Sequence, residues 1–174
     1  MTKKEFFNKV IKGKKDPIGK FIELLNLKKI PFCIIGGLAV NAYAEPVVSL
    51  DLDIVIIIDK LNELLSVLEH EYTIKKYPNS INITSSFSDL RIQIQTDKRH
   101  QNFIKHSLEK DVLGYKLFVA SIEDVLKGKI WAAEDKERRP SKRQKDLADI
   151  LRLLEVKKDL IKLIPKSIKE KLEF

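Results

Sequence analysis

CIIGGLAVNAYAEPVVSLDLDIVIIID, residues 33–59, decides how this chain is read. A short apolar run enters Gly36-Gly37, a small-residue segment follows, and a second apolar run opens with two carboxylates, Asp51 and Asp53. The order predicts a strand, a glycine turn, a helix and an acidic strand. Glycines 36 and 37 can adopt positive φ and carry no Cβ, so backbone N–H groups and the N-terminus of the next helix can meet an anion, a phosphate above all. Strand side chains alternate between faces, which puts Asp51 and Asp53 on one side and Leu52 and Ile54 in the opposite layer. Two carboxylates about 7 Å apart on one face suit Mg²⁺ shared with a substrate phosphate. Residues 54–58 then read as a strand buried on both faces. A carboxylate pair at the mouth of such a strand is costly to desolvate, and a cation is its natural partner.

Around this stretch the composition is that of a globular protein, with 44% hydrophobic and 33% charged residues in 174. We expect a single domain over 1–174, its core at about 17–155 and a helical tail at 156–174. The longest uninterrupted apolar run is five residues, 54–58, too short to cross a bilayer. Met1-Thr2-Lys3-Lys4 is followed by no apolar leader core, and the one cysteine, Cys33, excludes an intramolecular disulfide framework. The expectation is a cytoplasmic protein without a membrane partner. A net charge of +8 is compatible with nucleic-acid binding, but it is spread along the chain rather than gathered in one stripe, so charge alone does not decide the partner.

Residues 1–16 predict a helix with Phe6, Phe7, Val10 and Ile11 on its apolar side. Asp16-Pro17 caps the next helix, with Ile18, Phe21, Ile22 and Leu25 buried. Strands follow at 32–35, 73–76, 81–84 and 90–95, with helices at 38–44, 61–70 and 100–108. A strand interrupted by Gly114 is expected at 112–119. Ser121-Ile122-Glu123-Asp124 and Ser141-Lys142-Arg143-Gln144 both read as capping boxes opening helices. The tail, 157–174, predicts one or two short helices broken at Pro165.

Lys129 falls inside the apolar stripe of the first of these late helices. Two roles fit it: a snorkelling lysine at the sheet edge, or a contact to phosphates. The basic run from Arg138 to Arg143 could hold a phosphate or a nucleic-acid backbone, or be a solvated connection. Asp146 could pair with Lys142 or Arg143 on its own helix. His70, His100 and His106 are scattered without cysteine partners, which speaks against zinc.

Gly-Gly, thirteen residues, then Asp-x-Asp on a strand resembles the nucleotidyltransferase superfamily of polymerase-β type fold, in particular small bacterial stand-alone members related to abortive-infection nucleotidyltransferases. The similarity continues through Arg91 to Asp97, Ser121 to Ala133 and Ser141 to Leu154, and covers about residues 30–155. It implies an α+β fold, a mixed β-sheet flanked by helices with a helical C-terminal half. It also implies an Mg²⁺-dependent nucleotidyltransferase, with Asp51 and Asp53 as catalytic and metal residues and a nucleoside triphosphate bound by Gly36, Gly37, Ser49 and Lys129. Asp97, Arg143 and Asp146 are second-rank candidates. The acceptor would be a hydroxyl on a protein, RNA or small molecule. The family places a third carboxylate on a neighbouring strand, where this chain aligns Gln93, an amide that cannot act as base. The alternative is therefore a catalytically degenerate nucleotide- or partner-binding module, one half of a toxin–antitoxin or phage-defence pair with a partner protein.

Overall fold

The computed structural model describes residues 1–14 and 16–172, so Lys15 of the N-terminal segment and residues 173–174 of the expected tail lie outside the described residues. Seven strands form one mixed sheet in the order β3-β4-β5-β2-β1-β7-β6. At its centre β1 (Phe32–Ile34) runs antiparallel to β2 (Asp51–Ile56), and β2 runs parallel to β5 (Ser88–Gln95). The expected fold class, a mixed sheet with helices, is the one observed. The β1–β2 connection carries α3 (Gly36–Asn41), which ends several residues before Pro46.

The helices cover the sheet through the apolar stripes their spacing predicts. In α2 (Pro17–Leu27), Ile18, Phe21, Ile22 and Leu25 are buried, and in α4 (Leu61–Leu68) so are Leu61, Leu64, Leu65 and Leu68. The two long helices, α5 (Ile122–Glu134) and α6 (Pro140–Val156), pack against each other beside α3. α6 buries Leu147, Ile150, Leu153 and Leu154. Beyond α6, a 3₁₀ segment (Lys158–Leu163) and α7 (Lys166–Lys171) meet at Pro165, as the sequence predicts.

Several local expectations are corrected. Residues 112–119 are not one interrupted strand but part of a hairpin, β6 (Leu108–Val112) and β7 (Tyr115–Val119), turned by Leu113 and Gly114, both at positive φ. The expected helix at 100–108 is a 3₁₀ segment, Lys98–His106. The apolar run at 54–58 leaves the sheet at Ile56, and Ile58 is 49% exposed on a 3₁₀ turn. Ser141 does not cap α6: Pro140 takes the first helical position and no side chain caps that end. The reciprocal capping box is instead Thr2 with Glu5, at the start of α1 (Lys3–Val10), where Phe7 is buried and Phe6 faces solvent. The two edge hairpins are β6–β7 and β3 (Thr73–Tyr77) with β4 (Ser80–Ser85).

Asp16 ties the N-terminal helices to the sheet. Its side chain accepts from the Gly19 N–H at 3.1 Å and the Tyr115 hydroxyl at 2.6 Å, and pairs with Lys4 at 2.6 Å. Partial burial pushes its carboxyl up, but Lys4, Tyr115 and the Gly19 N–H outweigh that and hold it below the ordinary value. A depressed folded-state pKa contributes stability above the unfolded carboxylate range and loses it as pH falls through the folded value. Asp16→Ala is expected to cost about 1–2 kcal/mol at pH 7 in urea unfolding, with the difference from wild type shrinking below about pH 4.

Candidate functional site

The site begins where β1 ends. The Ile35 N–H donates to the Asp53 carbonyl at 2.9 Å, and the chain turns into α3 through Gly36 at φ +67°. A Cβ at Gly36 would stand 2.1 Å from Asp53 Oδ2, so only glycine lets the turn lie against that carboxylate. A Cβ at Gly37 would lie 3.4 Å from the Ser49 hydroxyl, which is itself 3.4 Å from the backbone N and O of Asp51. No side chain caps the start of α3. Gly36, Gly37, Ser49, Asp51 and Asp53 are thus brought together as the sequence predicts, with both aspartates on the half-exposed face of β2 and Leu52 and Ile54 in the core.

The two carboxylates have different surroundings. Parallel pairing sets Asp51 opposite Arg91 and Asp53 opposite Gln93. Arg91 Nη2 donates to Asp51 Oδ2 at 2.8 Å, and Lys142 Nζ stands 3.8 Å from the same oxygen. The Asp53 carboxylate forms no hydrogen bond or ion pair with any described residue. Desolvation pushes its carboxyl above the ordinary range, Lys129 opposes the shift, and the nearby charge of Asp51 adds to it. Gln93, which the resemblance sets at the place of a third carboxylate, is the register partner of Asp53, and among the described residues no three His, Cys, Asp or Glu side chains converge on one point. Mg²⁺ is commonly held by one or two carboxylates together with substrate phosphates, not by an all-protein cage. An uncompensated Asp53 carboxylate and the second oxygen of Asp51 fit an ion of that kind.

Behind Asp53, between the sheet and α5, lies a cavity of about 100 Å³ whose walls include Gly36, Gln93, His100, Lys129 and Arg138. That is room for a few waters or one phosphoryl group, so the sugar and base of a nucleotide would lie outside it. Lys129, 7% exposed, reaches Asp146 at 3.1 Å and Asp149 at 2.6 Å, two carboxylates buried on α6. Burial lowers the lysine's pKa, and the two aspartates more than restore it, so the ammonium stays charged. Asp146 is held further by Arg138 Nε at 2.6 Å, which replaces the expected pairing with Lys142 or Arg143. Asp149 bonds Arg152 at 2.7 Å, and Arg152 also donates to Asn41 at 2.9 Å and to the Glu45 carbonyl. Asn41 in turn bonds Val47 through both its backbone N–H and its carbonyl. One ion-pair chain therefore joins α5, α6 and the loop that carries Ser49.

Other candidates sit elsewhere. Asp97 caps the 3₁₀ segment and pairs with Arg99 at 2.6 Å, outside the cavity. Arg143 lines a separate groove with Pro140, Leu147 and Lys171. Cys33 is sealed in β1, and burial pushes its thiol up to about 12, which leaves it no nucleophile. Four residues of the site escaped the sequence reading or were only part of a longer run: Arg91, Arg138, Asp149 and His100. Asp149 was detectable, since it lies three residues after Asp146 inside an apolar stripe. Nothing in the sequence marks His100, which is 6% exposed, packs edge-on against Phe103 and Trp131, and has a buried Nδ1 with no partner.

The overall fold is shared with solved structures. The antibiotic-resistance factor ANT(2'')-Ia superimposes with a TM-score of 0.65 at 13% identity, over 90% of this chain and 91% of that one. The lincosamide antibiotic adenylyltransferase LnuA, solved with lincomycin bound, gives 0.57 at 13% identity over 81% and 98%. An antigenic nucleotidyltransferase-like protein from Paracoccidioides brasiliensis gives 0.53 at 17% identity over 86% and 75%. The fold is that of the nucleotidyltransferases. No family model matches the sequence, and no curated protein matches it either. At these identities the likeness establishes the nucleotidyltransferase fold, while substrate and activity rest on the residues of the site.

Because Lys129 bridges two buried aspartates, removing it leaves each with only one cationic partner, Arg138 or Arg152. Lys129→Met is expected to cost about 3–5 kcal/mol in urea unfolding, and adding Asp149→Asn to recover part of that loss. A neutral Lys129→Met variant of unchanged stability would show the ion-pair chain to be dispensable.

Proposed function

We propose that the protein binds a nucleoside triphosphate with Mg²⁺ and transfers its nucleoside monophosphate to a hydroxyl acceptor. The observation that carries this reading is the uncompensated Asp53 carboxylate, pressed against Gly36 at the mouth of a cavity walled by Lys129 and Arg138. Asp53 and Asp51 are the residues that would hold the ion. When bound, Mg²⁺ supplies charge neutralisation for the phosphates and for the leaving pyrophosphate. Backbone N–H groups at the start of α3 and the Ser49 hydroxyl bind phosphate oxygens, with Gly37 leaving room for close approach. Arg138, tethered to Asp146 through Nε at 2.6 Å and Nη2 at 3.5 Å, lines the cavity and adds positive potential there. Lys129, held between two aspartates, contributes field rather than a free donor. In the transfer step the acceptor oxygen bonds to the α-phosphorus as the bond to the bridging α–β oxygen breaks, pyrophosphate leaves with that oxygen, and the acceptor's proton passes to water, the chain's contribution being positioning and electrostatics.

The neighbours act on, or were solved with, small hydroxylated antibiotics: one with adenylyl-2''-tobramycin, another with lincomycin. Of the acceptor classes the resemblance implies, protein, RNA or small molecule, these neighbours favour the small molecule. A second reading has a specific observation in its favour. Gln93 stands in register with Asp53 where a base is needed, and an amide cannot take the acceptor's proton. On that reading the protein binds nucleotide without turnover and serves as a partner-binding module of a toxin–antitoxin or phage-defence pair.

Isothermal titration with ATP, GTP, CTP and UTP, with and without Mg²⁺, followed by labelled-nucleotide transfer, separates the two. The transferase reading expects Mg²⁺-dependent binding and turnover, with Asp53→Asn abolishing transfer. Binding without transfer for all four nucleotides supports the module. No binding of any nucleotide at millimolar concentration with Mg²⁺ present overturns both readings.

A further inference from the structure

Asp51 already has a cation of the protein's own. Arg91 Nη2 holds Asp51 Oδ2 at 2.8 Å, and Lys142 Nζ approaches the same oxygen at 3.8 Å, while Asp53 on the same strand face has no such partner. The Arg91 contact is built into the sheet, because β2 and β5 pair in parallel with Asp51 and Arg91 as register partners. A divalent ion on the free oxygen of Asp51 would sit beside a guanidinium whose backbone cannot move away. The guanidinium itself is under-committed: one nitrogen bonds Asp51, and the buried Nε has no hydrogen-bond partner among the described residues. Guanidinium groups match phosphate oxygens at least as well as they match carboxylates.

We propose that Arg91 exchanges partners. In the free protein it closes Asp51 to divalent ions, and when a nucleotide enters, its guanidinium passes to a phosphate oxygen and releases Asp51 to the ion. Metal and nucleotide then bind as one unit, each raising the affinity of the other. The proposal rests on the nucleotide reading of the site, but its first half concerns only Asp51, Arg91 and the ion. With Gln93 in place of a third carboxylate, the ion has few other ligands, so the state of Asp51 decides whether it stays.

The test reads metal occupancy, not turnover. Mn²⁺ replaces Mg²⁺, and its free concentration is followed by electron paramagnetic resonance in wild type, Arg91→Met, Arg91→Lys and the double variant Arg91→Met with Asp51→Asn. The same titrations are repeated with α,β-methylene-ATP. Without nucleotide, Arg91→Met is expected to bind Mn²⁺ roughly tenfold more tightly than wild type. Arg91→Lys, which keeps the charge, stays close to wild type, and the double variant loses the gain. With the analogue, wild-type affinity for Mn²⁺ rises, and Arg91→Met shows a smaller rise. Circular dichroism checks folding, and Arg91→Gln is read instead if the methionine variant unfolds. Equal or weaker Mn²⁺ binding by the Arg91 variant, or wild-type binding as tight without the analogue as with it, overturns the proposal. If the analogue binds neither protein, the phosphate half falls together with the nucleotide reading, and the Mn²⁺ comparison still decides whether Arg91 closes Asp51.

Discussion

The contact between Gly36 and the Asp53 carboxylate organises this molecule. A side chain at position 36 would overlap the carboxylate outright, and the backbone there is at positive φ, so two independent restraints select glycine at one point. With the turn pressed this close, the start of α3 and the acidic end of β2 share one small volume. The cost is a partly buried carboxylate with no protein partner of its own, and that burial raises its pKa. A stable fold tolerates such a group when something outside the chain completes it. The functional reading follows from that deficit more than from the likeness of the fold.

The surroundings are arranged to hold that deficit in place. Lys129 would be an ill-placed cation under α5 were it not for Asp146 and Asp149, and these would be ill-placed anions without Arg138 and Arg152. Together with the Asp51, Arg91 and Lys142 cluster, five cationic side chains face three paired carboxylates, with Asp53 left over. Of these cations, Lys129 and Arg138 line the cavity itself. A phosphate entering there meets a field prepared by groups that are already fixed, which is the economical way to stabilise charge in a water-poor site. The same chain of pairs reaches Asn41 and the Glu45 carbonyl, so the loop bearing Ser49 is restrained by the helices that carry the charges.

Much of this was legible from the sequence, and for identifiable reasons. Alternation in β2 put Asp51 and Asp53 on one face because a strand has only two, and the glycine pair fixed where β1 turns. The resemblance placed Gln93 at the family's third-carboxylate position, and the parallel register sets it beside Asp53. What spacing could not give was which charges meet. Asp146 was read against Lys142 and Arg143, its helical neighbours, yet its partners are Lys129 and Arg138 from α5 and the connection after it. Local rules favour i, i+4 pairs, whereas burial rewards whichever cation the packing delivers to the carboxylate. The hairpin at Gly114 was missed for a similar reason: Leu113 adopts positive φ there, a conformation its side chain gives no sign of accepting.

The position of Gln93 has a wider consequence. A third carboxylate on β5 would add negative charge beside Asp53 and raise its pKa further, favouring a proton there unless a metal were permanently bound. An amide at that place keeps the oxygen and removes the charge, so the site is less dependent on a resident ion and closer to balance when empty. Arg91, two residues earlier on the same strand face, carries the adjustment further by neutralising Asp51. On the nucleotide reading proposed above, both features move in one direction, from a site that would collect metal by its own negative charge to one that would wait for the charge to be carried in on a phosphate. That shift links the sequence's departure from the family pattern to a change in how the site is filled, and it applies whether or not the bound nucleotide is then consumed.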